Sequence, residues 1–492
     1  MLYEPTIGIE AHAQLTTSTK MFCACRTAPV LTGAAGGRAA PEANAPANSL
    51  LCPVCLGLPG ALPVINERAV ELGVSVALAL HCRINTSTRF DRKNYAYPDL
   101  PKGYQISQYF TPLGGDGWLE LQTGDAGRRV RIQDVHLEED TGKLIHQPGR
   151  TLIDLNRAGI PLLEVVTRPD LHSAEEAHLY AVELRRYLLY LGACSGDLEK
   201  GALRFEANVS VRPAGSLEPG TRVEVKNLNS LRALRRSIEF ELSRQEALLR
   251  RGLAVRRETR GWDETGQCTV VQRSKESAED YRYFPEPDLP PLELSTQWLE
   301  ALRAQLPELP TERRRRFTTE YGLSSYDADL LTDEPAIANY FESAVSHSRL
   351  PGLSPKTIAN WVSGDLLRYV RQAAWQEVER AVPPDRLVEL IAMQQAGSLT
   401  QTSAKQVLQE MLASGQSARQ ICAEKHIERI ADEASLGEFL AQVIAANPEA
   451  VSQYRTGKDA VLRFLVGAVV KASHGTADPT AAAELLRRRL RP

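Results

Sequence analysis

Ile7-Gly8-Ile9-Glu10-Ala11-His12-Ala13-Gln14-Leu15 is a stretch with two unlike sides. A β-strand sends successive side chains to opposite faces, so Ile7, Ile9, Ala11, Ala13 and Leu15 fall on one side and Gly8, Glu10, His12 and Gln14 on the other. The first side belongs to a core. On the second, a carboxylate and an imidazole two residues apart have Cα atoms about 6.5–7 Å apart, close enough to share one metal ion or water. The solvated face of an antiparallel sheet alternates in the same way, so the reading gains weight only if other strands repeat it.

Several do. Asp134-Val135-His136-Leu137-Glu138-Glu139-Asp140 places Asp134, His136 and Glu138 on one face ahead of an acidic turn, where three consecutive acids repel one another unless a cation or solvent intervenes. Residues 152–156 put Asp154 and Asn156 in phase, and 205–212 put Glu206, Asn208, Ser210 and Arg212 in phase. Residues 222–226 add Arg222, Glu224 and Lys226, and 271–275 add Arg273 and Lys275. A sheet face with acids, a histidine, amides and cations suits Mg²⁺ together with a phosphate chain, since the ion takes oxygen ligands and the phosphates take cations. Helical spacing predicts helices over 61–81, 174–191 and 230–250, the second with Ser173 as N-cap.

Cys23-Ala24-Cys25 and Cys52-Pro53-Val54-Cys55 are two short pairs able to close a tetrahedral four-thiolate zinc site, with buried or redox-active thiols as the alternative. Four thiolates leave no open position, which makes such a zinc structural. The Ala/Gly/Pro-rich segment 31–49 reads as a flexible insertion pinned at its base. From Arg89 to Tyr109 the chain mixes cations, aromatics and turn formers, which suits a loop that grips a phosphate or stacks on a base, or else an irregular surface loop.

Four prolines between Pro285 and Pro291 predict a domain boundary. Beyond it, stripes such as Ile358, Trp361, Val362, Leu366, Leu367 and Val370 predict packed helices. The runs Arg313–Arg316 and Arg487–Arg489 suit phosphates or solvated helix faces equally. With 492 residues the chain has room for several domains, and its net charge of -3 confines any polyanion contact to local patches. No run approaches 18 apolar residues and the N-terminus lacks a basic-then-apolar leader, so a cytoplasmic protein with no membrane contact is expected.

Taken together, Ile9-Glu10-Ala11-His12, Phe22-Cys23-Ala24-Cys25, the run from Cys52 to Gly60, the loop from Phe90 to Tyr109, His136-Leu137-Glu138-Glu139-Asp140, Asn156-Arg157-Ala158-Gly159-Ile160-Pro161-Leu162-Leu163-Glu164, Val225-Lys226-Asn227-Leu228-Asn229-Ser230 and Asp280-Tyr281-Arg282-Tyr283-Phe284-Pro285 resemble the B subunit of the glutamyl/aspartyl-tRNA amidotransferases. The resemblance spans the chain. It implies an α+β fold: a cradle-like, mostly antiparallel sheet domain with helices over 1–291, an all-helical domain over 292–408, and a helical tail over 409–492 that touches tRNA. The implied activity is that of an ATP-dependent ligase. The side-chain carboxylate of a misacylated Glu-tRNA(Gln) or Asp-tRNA(Asn) is phosphorylated, and ammonia from a partner then attacks the acyl phosphate. The implied cofactors are ATP, Mg²⁺ and a structural Zn²⁺.

On this footing Glu10, His12, Glu138, Glu139 and Glu224 are the catalytic candidates. Glu10, His12, Glu138, Glu139 and Glu206 are Mg²⁺ candidates, and Cys23, Cys25, Cys52 and Cys55 are zinc candidates. Lys143, Lys226, Arg273 and Lys275 are candidates for ATP or phosphate contact. No G-x-x-x-x-G-K-[ST] pattern occurs. No Gly/Ser-rich amidase segment or Cys-His glutaminase motif stands out, so the implied ammonia source is an amidase-type glutaminase, the family's A subunit, braced by a small C subunit in a heterotrimer. Two departures from the family pattern stand out: Phe205-Glu206 where Cys-Asp is common, and Gly475-Thr476-Ala477-Asp478-Pro479 where Gly-Lys-Ala-Asn-Pro is usual. The rival readings are a non-catalytic zinc-knuckle tRNA-binding scaffold and a small-molecule metal-dependent phosphohydrolase.

Overall fold

The structure, a computed structural model, describes residues 2–27, 45–123, 126–216, 218–274, 281–348, 353–370 and 375–490. It divides into two compact units, Met1–Pro310 and Thr311–Pro492. The strands of the first unit begin with β1 (Tyr3–Gln14), β2 (Arg83–Ile84), β3 (Ser87–Thr88), β4 (Asp91–Asn94), β5 (Tyr104–Ser107), β6 (Gly114–Thr123), β7 (Ala126–Glu139) and β8 (Lys143–Gln147). They continue with β9 (Arg150–Asp154), β10 (Pro161–Thr167), β11 (Leu203–Pro213), β12 (Val223–Leu228), β13 (Glu258–Asp263), β14 (Cys268–Ser274), β15 (Phe284–Pro285) and β16 (Leu292–Glu293). Nine of them form one sheet in the order β14-β13-β12-β11-β1-β10-β7-β6-β2. Every pairing in it is antiparallel except β12 with β13.

The alternation of β1 determines the layering. Ile7, Ile9, Ala11, Ala13 and Leu15 are at most 1% exposed. They share a core with the helices α1 (Glu67–Ala79), α2 (Ala174–Tyr190) and α3 (Leu231–Arg250). The opposite face carries the polar residues. Helix α1 sits close to the sheet because it has no side chain at Gly73, where a Cβ would lie 2.7 Å from Leu113 Cδ1 and 3.2 Å from Leu137 Cδ2. Ser173 caps α2 by accepting from Glu176 N at 3.0 Å, as its position in the sequence predicts.

Three expectations are corrected. The helix predicted over 61–81 starts only at Glu67. Residues before Pro63 are pushed out of helical geometry, and the segment is pinned instead by Val64 N to Phe22 O and Asn66 N to Met21 O, at 3.0 and 2.9 Å. The first unit does not end at 291. Phe284 and Pro285 form an edge strand on β4, where a missing N–H is tolerated, β16 then pairs with β3, and Leu294 and Leu309 enter the first core. Nor does the second division fall at 408, which lies inside the helix Gln401–Ser414. The core from Phe317 to Cys422 includes Leu408 and Met411 of that helix, and a separate cluster runs from Leu436 to Leu490.

The second unit is helical, as expected. Its basic run is built into the packing: Arg313 and Arg316 both pair with Glu342, and Arg314 lies 3.4 Å from Asp329. Asp478, in the departing Gly-Thr-Ala-Asp-Pro segment, accepts from Ala481 N at 2.7 Å and from Arg429 Nε at 2.7 Å. It is therefore a helix cap rather than a phosphate contact. Of the Ala/Gly/Pro-rich stretch at 31–49, residues 31–44 lie outside the described residues.

Asn66 joins two parts of the first unit. Its Oδ1 accepts from Ala69 N at 3.1 Å to cap α1, while its Nδ2 donates to Thr19 O and Thr19 Oγ1 at 3.0 and 2.9 Å. Asn66→Ala removes the cap and both links to Thr19. The expected cost is about 2 kcal/mol, read as lost hydrogen-exchange protection in α1; unchanged protection there would show that the cap and latch contribute nothing.

Candidate active site

The register of the large sheet brings three strands together around Glu164. His12 on β1 stands opposite Glu164 on β10, and Glu164 stands opposite His136 on β7. Residues directly opposite in an antiparallel pair share a face, so the three side chains converge. His136 Nε2 lies 2.9 Å and His12 Nε2 3.4 Å from Glu164 Oε2, while His136 Nδ1 lies 2.9 Å from Asp134 Oδ1. Glu138, next in phase on β7, completes a group with His12 and Glu164 in which one ligand atom from each lies within 4.8 Å of the others.

A second group forms two residues away on β1. Glu10 stands opposite Glu206 on β11, and Glu224 comes from β12, with one oxygen of each within 4.8 Å of the others. Asn208 Nδ2 donates to Glu10 Oε1 at 2.7 Å, Thr259 Oγ1 donates to Glu224 Oε2 at 2.6 Å, and Lys226 Nζ lies 2.9 Å from Glu206 and 4.0 Å from Glu224. The cavity beside these groups has a volume of about 380 Å³. His12, Lys93, Tyr95, Glu138, Arg204 and Lys226 are among its walls.

The electrostatics follow from this crowding. Burial works to lower the pKa of His12, but Glu164, Glu206 and Glu138 outweigh it and lift it to about 9. His136 is likewise raised against burial by Glu164 and Asp134, and Glu164 is held well below the usual carboxylate range, against burial, by the two imidazoles. Lys93 and Lys226 are raised against burial, chiefly by Glu138 in one case and by Glu206 and Glu224 in the other. Asp140 is lowered against burial by Arg204 and Arg157. In each case the acids and bases stabilise one another's charged forms.

The cysteines form a third group. Cys23, Cys25, Cys52 and Cys55 bring their sulfurs within 4.8 Å of one another. Cys52 Sγ and Cys55 Sγ are 3.9 Å apart, close to the roughly 3.8 Å edge of a tetrahedron with zinc–sulfur bonds of about 2.3 Å. Cys52 N donates to Cys55 Sγ at 3.1 Å. The Cys55 thiol is lowered to about 5, first by its hydrogen bond with Cys23. The donor set fits zinc, and the two oxygen-rich groups fit a hard divalent cation.

Glu10, His12, Glu138, Glu206, Glu224 and Lys226 therefore come together on one face, divided between two groups. Glu139 does not join them. One residue on from Glu138, it faces the other way, pairs with Lys102 and accepts from Ile106 N at 2.9 Å, so it anchors β5 to β7. Lys143 is exposed at the start of the separate β8–β9 hairpin, and it is not among the cavity walls. Arg273 stands opposite Thr259 in the sheet, but its side chain, and all of Lys275, lie outside the described residues. Glu164 and Lys93 also lie at the site and were not among the candidates, and His136, placed on this face by its phase, was given no role of its own. A lone carboxylate in the apolar run Pro161-Leu162-Leu163-Glu164-Val165-Val166 was the available signal for the first.

Comparison with known proteins places this geometry in a family. A profile described as the GatB/GatE catalytic domain matches residues 5–300, and one described as the GatB domain matches residues 339–490. The aspartyl/glutamyl-tRNA(Asn/Gln) amidotransferase B subunit of Moorella thermoacetica is 48% identical, with 100% of each chain covered. The protein of the same name from Roseiflexus castenholzii is 47% identical over 100% of this chain and 99% of its own length, and that of Thermosynechococcus vestitus 44% identical over 100% and 97%. The chain belongs to the family of B subunits of the aspartyl/glutamyl-tRNA(Asn/Gln) amidotransferases.

Proposed function

We propose that this chain activates and amidates the side-chain carboxylate of Glu on tRNA(Gln), Asp on tRNA(Asn), or both, using ATP and ammonia from a glutaminase partner. A carboxylate resists ammonia because oxide would have to leave. Transfer of the γ-phosphoryl group of ATP to a carboxylate oxygen releases ADP. Attack of the ammonia nitrogen on the acyl carbon then expels inorganic phosphate and leaves the amide. The observation that carries the reading is the pairing of two acid-rich groups with Lys226, Lys93 and Arg204 around a single cavity on one sheet face.

The chain's own residues supply positioning and charge. Lys226, Lys93 and Arg204 provide cationic groups for phosphate oxygens in a site where charge interactions are strong. Glu10, Glu206 and Glu224 on one side, and His12, Glu138 and Glu164 on the other, are the residues that would hold Mg²⁺. A bound Mg²⁺ neutralises phosphate charge. Cys23, Cys25, Cys52 and Cys55 would hold zinc as a structural pin. Ammonia delivered inside a heterotrimer of this chain, the glutaminase and a small third protein avoids protonation in bulk water, which would block attack. A tRNA-binding scaffold would have no use for so many paired acids and bases gathered at one cavity.

The deciding experiment measures ATP consumption and amide formation by the complex with the glutaminase. The substrates are misacylated Glu-tRNA(Gln) or Asp-tRNA(Asn), with glutamine or ammonium as the nitrogen source. ATP use that requires misacylated tRNA is expected; tRNA binding with no ATP use under either nitrogen source would favour the scaffold. Within that assay Glu10→Gln and Glu164→Gln should each lower amide formation about 100-fold or more while tRNA affinity stays within about two-fold. Lys143→Ala should change neither, and wild-type turnover by Glu164→Gln would remove Glu164 from the site. For the cysteine group, elemental analysis of the purified chain should find about one zinc per chain. Cys52→Ser should lose most of it together with thermal stability, and a metal-free wild-type chain of full stability would refute the pin.

A further inference from the structure

The loop from Arg89 to Tyr109 is not irregular. β15, β4 and β5 form a small sheet, and its turn after β5 is fixed by Asp91, whose buried Oδ2 accepts from Tyr109 N and Phe110 N at 2.8 and 3.0 Å. This anchoring brings five aromatic rings into one continuous series. Tyr95 is part of the cavity wall. From it the ring centroids step 5.8 Å to Tyr281, 6.0 Å to Tyr283, 4.0 Å to Tyr109 and 5.1 Å to Phe110. Tyr283 and Tyr109 are stacked, with 10° between their planes. The inner end is cationic, with Lys93 Nζ 5.0 Å from the Tyr281 ring; the outer end is flanked by Arg89, whose Cζ is 5.8 Å from the Phe110 ring.

The backbone that carries the two outermost rings is fixed by Asp91, and the residues are 48% and 50% exposed. Exposed apolar side chains that adjoin one another, as these rings do, mark interaction surfaces where isolated ones do not. Alternating aromatic faces and cations make a surface for unpaired nucleotides, whose bases stack on rings and whose phosphates meet the cations. The proposed substrate has such a segment. Its amino acid is esterified to the terminal ribose of an unpaired RNA end, so when the side-chain carboxylate enters the cavity the last bases must lie just outside it. The aromatic series starts at the cavity wall and leads outward.

We infer that Tyr109, Phe110 and Tyr283, with Arg89, form the subsite that stacks the unpaired 3′ nucleotides of the aminoacyl-tRNA. The inference rests on the proposed function, because it takes the cavity to be where the aminoacyl group reacts.

The test uses the complex with the glutaminase, with Tyr109→Ala, Phe110→Ala and the ring-conserving Tyr109→Trp. Binding is measured with deacylated tRNA carrying its full 3′ end and with the same tRNA shortened by its unpaired 3′ nucleotides. The two alanine variants should bind the full tRNA roughly ten-fold more weakly and the shortened tRNA as the wild type does, with Tyr109→Trp close to wild type on both. In the amidation assay the same variants should raise the KM for misacylated tRNA and leave the KM for ATP unchanged. Equal affinities of the variants and the wild type for the full tRNA would overturn the subsite. So would an equal loss on both tRNAs, or a raised KM for ATP alone, which would make the rings an adenine site for ATP. A wild-type complex that never consumes ATP would sink the functional reading instead, and the binding comparison would still decide the subsite.

Discussion

β1 runs through the middle of the nine-stranded sheet, and its backbone leaves no choice over which side chains meet the core. Because Ile7, Ile9, Ala11, Ala13 and Leu15 are needed against the helices, Gly8, Glu10, His12 and Gln14 must take the other face. The neighbours on either side obey the same rule, so a hydrophobic requirement on one face aligns charged residues on the other. A shift of one residue in β1 would bury Glu10 and His12 among aliphatic side chains and expose the isoleucines. The registers of Glu10 with Glu206 and of His12 with Glu164 are therefore held by the apolar face as much as by any polar contact.

Charge gathered in this way opposes folding unless it is balanced. The balance here is local and paired. Two imidazoles meet one carboxylate at Glu164, Lys226 meets Glu206, and Arg204 meets Asp140 at 3.0 Å. Glu10, Glu206 and Glu224 draw on Lys226 as an ammonium and on Asn208 and Thr259 as neutral donors. Each of the two groups keeps cationic partners within the protein and still offers ligand atoms close enough together for a divalent cation.

Much of this was legible from alternation alone. β1, β7, β11, β12 and most of the acids fall where period-two patterning puts them, since a sheet buried on one face writes that period into its sequence, and the capped second helix falls where helical spacing puts it; β6, β10 and β13 were not read as strands. The same rule applied strictly would have excluded Glu139, because Glu138 had already taken the polar face. What alternation does not show is which strands are neighbours. Glu164 and His136 acquire meaning only once β10 is known to lie between β1 and β7, although β10 is distant in the chain from the segments it pairs with. The prolines at 285–291 misled for a related reason. They end regular structure locally, but at a sheet edge they do not prevent the chain from rejoining the same core.

The join between β11 and β12 shows how a small irregularity shapes the site. Phe205 pairs with Leu228, while Ala207 pairs with Val225, so β12 carries one extra residue opposite Glu206. Asn227 takes up that residue with a φ of 63°, a left-handed conformation that asparagine tolerates better than most residues. The bulge lets the consecutive residues Lys226, Asn227, Leu228 and Asn229 all border one cavity, while Leu228 keeps its side chain in the core with Phe205. It also gives Glu206 its partner. Phe205 fills the core at 1% exposure, and on the polar face the Glu206 carboxylate comes within 2.9 Å of Lys226.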